Sequence, residues 1–274
     1  MHAASRQSLA AARDRLNDYI DRARAVDLGT VADELFAVVG LLDREPTLRR
    51  ALSDPAADPE ARARLLDRML GSRLDPRTME QLRDLARSRW SEPTDLADAV
   101  EALARQAALG VAERSGTLDE VEDELFRFGR ILDAHPQLRN LLADVRTPPD
   151  RRIDLLDRLL EGKVNSTTRR LLEQVVRAPR GRTLDVAIEQ LVELAAARRE
   201  RYVAYVRAPA PLTGEQEERL ATALTRIYGR PVGLQIEVDP ELLGGLVVRV
   251  NDEVIDGTVA TRLAEARRWL GGVP

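Results

Sequence analysis

Val238-Asp239-Pro240-Glu241-Leu242-Leu243-Gly244-Gly245-Leu246-Val247-Val248-Arg249-Val250-Asn251-Asp252-Glu253-Val254-Ile255-Asp256-Gly257-Thr258 forms a strand-turn-strand unit in a 274-residue chain whose other segments carry mostly helical periodicity. Apolar residues at Val248, Val250 and Val254 alternate with polar neighbours, which predicts a hairpin. Its turn falls at Asn251-Asp252, where short Asx side chains tolerate positive φ. Gly244-Gly245 precede the strand, where backbone without Cβ permits a tight approach or an unusual dihedral. The carboxylates Asp239, Glu241, Asp252, Glu253 and Asp256 lack the alternating donors and closing Glu of a calcium loop. They read as turn and cap groups, and no metal site is predicted.

This stretch resembles the carboxy-terminal motif of the delta subunit of F-type ATP synthase, whose mitochondrial relative is the oligomycin-sensitivity-conferring protein. That motif runs Asp-Pro-x-Leu-Ile-Gly-Gly, a short strand, Gly-Asp-x-Val-x-Asp-x-Ser, then a helix. The matching positions are Asp239, Pro240, Leu242, Leu243, Gly244, Gly245, then Asn251, Asp252, Val254, Asp256 and Thr258, with a helix expected to Leu270. Leu243 replaces Ile and Asn251 replaces Gly, while Thr258 keeps a hydroxyl able to cap that helix. Upstream, Tyr202 to Thr213 resembles the family's strand and Ala/Pro-Leu segment. Thr213 and Gln216 form a capping box for a helix to about Tyr228, and a second strand spans Val232 to Val238.

Composition narrows the classes of function. Without cysteine there is no disulfide framework, thiolate zinc site or cysteine nucleophile. Only His2 and His135 could supply imidazole; His2 lies at the terminus, and His135 precedes Pro136 at a helix end. The 42 basic and 46 acidic residues give a net charge of -4, so nucleic acid is a poor partner. The run Arg198-Arg199-Glu200-Arg201 reads as a solvated helix end. No segment has the apolar length of a membrane span, and residues 1–20 carry Arg6, Arg13, Asp14 and Arg15 where a signal peptide needs an apolar run. Membrane association would need a partner. Gly162-Lys163-Val164-Asn165-Ser166 fails as a phosphate loop, since Asp157 stands at the required earlier glycine and no hydroxyl follows the lysine. No nucleotide, cofactor or catalytic site is predicted.

The second large signal is an internal repeat. Val31-x-Asp33-Glu34-Leu35-Phe36 recurs as Val121-x-Asp123-Glu124-Leu125-Phe126, and Leu65-Leu66-Asp67-Arg68 as Leu155-Leu156-Asp157-Arg158. Residues 31–70 and 121–160 share 19 identities in 40 ungapped positions, which is duplication. In the first copy one helix runs from about Thr30 to Arg44 and stops at Pro46. Asp58-Pro59 and Asp75-Pro76 open helices reaching about Leu70 and Arg89. Leu35, Val38, Val39 and Leu42 share one apolar face, as do Leu82, Leu85 and Ala86, so these residues read as core. Helix 95–115 aligns with the closing helix Thr183–Arg201 yet stands where the second copy needs its opening helix, so the copies are expected to share it. The fold class is mainly α: a duplicated helical bundle followed by a small α/β carboxy-terminal domain. The expected divisions are 1–94, 95–200 and 201–274.

The duplication resembles the long actinobacterial form of the delta subunit. That resemblance implies a non-catalytic stator in the peripheral stalk, holding the catalytic head so that proton-driven rotation drives ATP synthesis. It implies a peripheral place on the cytoplasmic face of the cell membrane, without direct membrane insertion. In the family, the bundle receives the amino-terminal helix of an alpha subunit between its first and fifth helices. The carboxy-terminal part meets subunit b, with the beta subunit as a further candidate partner. Carried onto the second copy, the groove residues are Val100, Leu103, Ala107, Val111, Leu171, Leu172 and Val175. The first copy offers Leu9, Leu16, Leu82, Leu85 and Trp90. A lone Trp at a helix end favours core for Trp90, whereas Trp269 in the final helix is the better interface residue. Two rival readings stand beside the stator: a helical-repeat adaptor unrelated to ATP synthase, and an enzyme using carboxylates between Asp239 and Asp256.

Overall fold

The computed structural model describes residues 1–200, 203–228, 232–250, 253–259, 261 and 263. The chain divides into two compact units, Met1–Ala195 and Ala196–Pro274. The helices run α1 (Ala3–Ile20), α2 (Ala25–Arg44), α3 (Pro46–Ser53), α4 (Pro59–Leu70), α5 (Pro76–Arg87), α6 (Pro93–Arg114), α7 (Leu118–Ala134), α8 (Pro136–Ala143), α9 (Pro149–Leu160), α10 (Ser166–Arg177) and α11 (Leu184–Glu200). β1 (Val203–Ala208), α12 (Gly214–Tyr228), β2 (Gly233–Val238), β3 (Val247–Val250) and β4 (Glu253–Asp256) follow. The observed class is a duplicated helical bundle with a small α/β unit.

Proline starts half of these helices. Pro46, Pro59, Pro76, Pro93, Pro136 and Pro149 all occupy the first turn, where the missing N–H has no helical acceptor to lose. Asp58 and Asp75 then cap as predicted, accepting from Glu60 and Ala61 and from Arg77. Pro46 and Pro136 do more than stop a helix: each opens a short one, α3 and α8, where the sequence reading has no element. The second helix also begins earlier than expected, at Ala25, because Arg24 and Asp27 pair across its first turn at 2.8 Å and Gly29 continues the helix.

The duplication is visible in the elements themselves. α3, α4 and α5 recur as α8, α9 and α10 with both ends displaced by 90 residues. Helix α6 belongs to both halves, for it packs on α1, α2, α3 and α5 and also on α7 and α10. Its sequence explains this. Ala97, Ala99, Ala104, Ala107, Ala108, Gly110 and Ala112 are small and buried on several faces, so helices approach from several sides. At Gly110 an added Cβ would come within 3.0 Å of the Ile20 side chain, so α1 crosses α6 where α6 has no side chain.

The second unit is a four-stranded sheet in the order β2-β1-β3-β4. β1 pairs parallel with β2 and antiparallel with β3, and β4 closes the edge antiparallel to β3. Ala204, Val206, Val248 and Val250 face a small core with Leu224 and Val232. Val254 departs from the expected alternation. Register places Val248 opposite Ile255 and Val254 opposite Arg249, so Val254 lies on the outer face at 59% exposure. Arg249 there covers the Tyr205 ring at 5.2 Å. The predicted turn residues Asn251 and Asp252 lie outside the described residues.

Candidate functional site

The repeated motifs prove to be positioning devices. Glu34 on α2 accepts the backbone N–H of Asp75 with both oxygens at 3.0 Å, holding the start of α5. Its repeat Glu124 on α7 accepts the N–H of Asn165 at 3.0 and 2.9 Å and bonds the Thr168 hydroxyl at the start of α10. Arg62 donates to the carbonyls of Arg87 and Ser88 at the end of α5, and its repeat Arg152 donates to Leu142 and Val176. One carboxylate thus meets the positive end of each fifth helix, and one guanidinium serves the carbonyls at its other end. Sequence reasoning missed these four residues, although Glu34 and Glu124 stand inside the repeated motif. Replacing Glu124 by Ala is expected to destabilise the helical unit by about 1–3 kcal/mol, since a half-buried N–H loses its acceptor. Urea unfolding of the full chain measures this, and Glu34→Ala should match it.

The predicted groove residues of the second copy sit in the core. Val100, Leu103, Ala107, Leu171, Leu172 and Val175 are at most 2% exposed, and Val111 is half-buried. Their cover includes the first copy. α2 packs along α6, and its Asp33 pairs with Arg170 on α10 at 2.8 Å. The second helix of one copy therefore packs on one helix of the other copy's groove and is tied to the other by this ion pair. In the first copy Leu9, Leu16, Leu82, Leu85 and Trp90 are likewise buried, and the Trp90 indole donates to the Leu85 carbonyl at 2.8 Å. Above them α1 and α5 are bridged by polar links: Ser8 donating to the Arg89 carbonyl, Arg15 on Asp84, and Arg77 over the Tyr19 ring.

A buried charge cluster joins the copies. Glu101 on α6 holds Arg105 at 2.5 Å and Arg182 at 2.5 and 2.7 Å, with Arg180 at 3.7 Å. Arg180 also reaches Asp98, the Ala97 carbonyl and Asp43 on α2. Burial pushes the Arg105 guanidinium below its ordinary value and the Asp98 carboxyl above its own. Arg180 itself adopts a left-handed φ of 51°, followed by Gly181 at 75°, so the loop turns its guanidinium back onto α6.

In the carboxy-terminal motif, Gly244 and Gly245 take φ values of 130° and 86°. The Gly244 carbonyl accepts from Val259, and the Leu246 carbonyl from Gly257. Asp239, after β2, accepts from the Glu241 N–H and pairs with Arg207 at 3.2 Å, and Pro240 continues that turn. Asp256 accepts from the Thr258 N–H and the Thr261 hydroxyl, which hold its carboxyl below the ordinary range. Thr258 accepts from the Thr261 N–H at 3.3 Å, the cap geometry its hydroxyl suggested. Trp269, like Asp252, lies outside the described residues. Among the described residues no group of three or more His, Asp or Glu side chains is placed to hold a metal ion, and no helix is long and apolar enough to cross a membrane.

The model of the ATP synthase delta (OSCP) subunit family matches residues 104–270. The ATP synthase subunit delta of Streptomyces avermitilis is 49% identical, covering 97% of this chain and 97% of its own. That of Thermobifida fusca is 45% identical over 99% of this chain and 100% of its own. ATP synthase subunit b-delta of a Mycobacterium strain is 45% identical over 98% of this chain, which spans 61% of that longer protein. With the double-glycine motif and the duplicated bundle, these matches show that the chain belongs to the ATP synthase delta (OSCP) subunit family.

Proposed function

We propose that the chain is a non-catalytic stator of F-type ATP synthase, tying the catalytic head to the peripheral stalk so that proton-driven rotation yields ATP. The observation that carries this reading is α6, buried among helices of both copies so that Met1–Ala195 forms one compact unit. A stator must transmit torque without yielding, and a shared, closely packed helix resists bending where a flexible linker would not. The near-half identity to delta subunits along almost the whole chain disfavours an unrelated adaptor.

The expected partners are the amino-terminal helix of an alpha subunit and subunit b, with beta as a further contact. The alpha helix is assigned to the α1/α5 side of the first copy, because in the second α2 already packs on α6 and its Asp33 pairs with Arg170 of α10. On that side only surface links such as Arg15–Asp84, each worth about 0–1 kcal/mol, lie over the buried Leu9, Leu16, Leu82 and Leu85. A helix can therefore seat along the α1/α5 seam by replacing those links while the leucine packing stays in place. Subunit b is assigned to the α/β unit, whose Leu243 and Val254 leave apolar surface exposed. Held by these partners, the chain would sit peripherally on the cytoplasmic face of the cell membrane. The test is calorimetric titration of the alpha subunit's amino-terminal peptide into the full chain. Binding that the surface variant Arg15→Glu on α1 weakens and Arg169→Glu on α10 leaves intact supports the assignment, whereas loss only with the second-copy variant returns the joint to α6 and α10. ATP synthase that assembles and couples fully without this chain would refute the stator reading itself.

A further inference from the structure

The duplication places the same surface stripe in two settings. On α2, Asp33 pairs with Arg170 of α10 at 2.8 Å and Asp43 with Arg180 at 3.6 Å. Phe36 shares that stripe by helical spacing and is 6% exposed. In the first copy the two carboxylates of this stripe thus meet arginines of α10 and of the loop after it, and the aromatic between them is buried. On α7 the stripe recurs as Asp123, Phe126 and Asp133, but here Phe126 is 55% exposed and Asp123 pairs with Arg127 of its own helix. Ninety residues apart, one version has its partner within the chain and the other faces outward.

Beside Phe126 a groove of about 430 Å³ runs between α7 and α11. Its floor includes Leu125, Gly129 and Ile188, and its rim carries Asp133, Glu189 and Glu193, with Asp185 paired to Arg139 at 3.7 Å and Arg130 as the cation among the lining residues. Gly129 opens it, for the first copy has Val39 at that position, and a Cβ on Gly129 would meet Ile188 at 3.6 Å. An apolar floor between acidic banks fits one kind of occupant. We propose that the α7/α11 groove docks an amphipathic helix of a partner protein, apolar on the face it buries and flanked by arginine or lysine. Phe126 supplies the apolar contact over the Ile188 floor, and Asp133, Glu189 and Glu193 receive the cations, as Asp33 and Asp43 receive Arg170 and Arg180 within the chain. This reading stands apart from the stator assignment, since it rests on the groove and the repeat alone.

The probe is a fluorescent peptide of residues 166–182 of this chain, Ser-Thr-Thr-Arg-Arg-Leu-Leu-Glu-Gln-Val-Val-Arg-Ala-Pro-Arg-Gly-Arg, the arginine-bearing segment that the first copy's stripe accepts. Its anisotropy is titrated with the full chain at low and high salt. The expected result is saturable, salt-sensitive binding, weakened about tenfold by Phe126→Ser as for loss of an aromatic anchor. Glu189→Arg combined with Glu193→Arg should weaken it similarly, and all variants should keep the parent's thermal midpoint because these side chains lie at the groove's surface. Absence of saturable binding, or binding indifferent to both variants, overturns the proposal. So does concentration-dependent self-association of the full chain that Phe126→Ser abolishes, which would give the surface to a second copy instead.

Discussion

Replacing Gly245 by alanine is expected to unfold the carboxy-terminal unit while the helical unit stays folded. The backbone at Gly245 has a φ of 86°, and an added Cβ would lie 2.3 Å from the Gly257 carbonyl oxygen and 2.8 Å from the Thr258 Cα. Both neighbours are backbone, so no side chain can swing aside. Two hydrogen bonds hold these segments face to face, from Gly257 to Leu246 and from Val259 to Gly244, and relief of the clash must break them. Left-handed strain costs roughly 1–3 kcal/mol, and each lost hydrogen bond about 1 kcal/mol more. A unit whose buried core is Ala204, Val206, Leu224, Val232, Val248 and Val250 has little stability in reserve. Hydrogen exchange of the full chain should show β1 and β3 losing protection while α6 keeps it. Gly162→Ala is the control, since Gly162 has a φ of 67° but open space around it, and it should cost only about 1 kcal/mol. Equal and small effects of both substitutions would mean that the crossing at Gly245 does not hold the unit together.

That glycine was legible in the sequence because its requirement is local: a pair of glycines before a strand signals a backbone constraint. The same holds for the proline helix starts and for the duplication, which are patterns of neighbouring residues. Contacts between distant segments were harder to read. The family resemblance marked Val100, Leu103, Leu171 and Val175 as groove residues, but apolar residues at helical spacing do not reveal what covers them, and here α2 of the other copy packs on α6 and pairs with Arg170 of α10. Glu34 and Glu124 were visible as repeated letters, yet their roles depend on N–H groups 41 residues away. Val254 went astray for a geometric reason. Pairing of Val250 with Glu253 sets the parity of β4, and that parity turns Ile255 and not Val254 toward the face of Val248. Pro46 and Pro136 misled because proline both ends one helix and begins the next.

Glu101→Ala is expected to cost the helical unit about 3–5 kcal/mol, the range for removing one partner from a buried ion cluster. Glu101 is 7% exposed and stands among Arg105, Arg180 and Arg182, so its loss leaves Arg180 with Asp98 and Asp43 while Arg105 and Arg182 lose the carboxylate that pairs them. Arg105, itself 5% exposed, has the least access to water and suffers most. The damage comes from the uncompensated charge more than from the lost attraction. Glu101→Leu combined with Arg105→Leu should therefore be milder than Glu101→Ala, because it removes the most deeply buried cation with its carboxylate and refills the volume. Arg180 remains able to hold Asp43 and Asp98 in the double variant, so the tie between α2 and α6 survives. Urea unfolding of the full chain at neutral pH distinguishes the two by their midpoints. A single variant no worse than the double would show that water reaches the cluster, and the junction would then owe its stiffness to the alanine-rich packing of α6 alone.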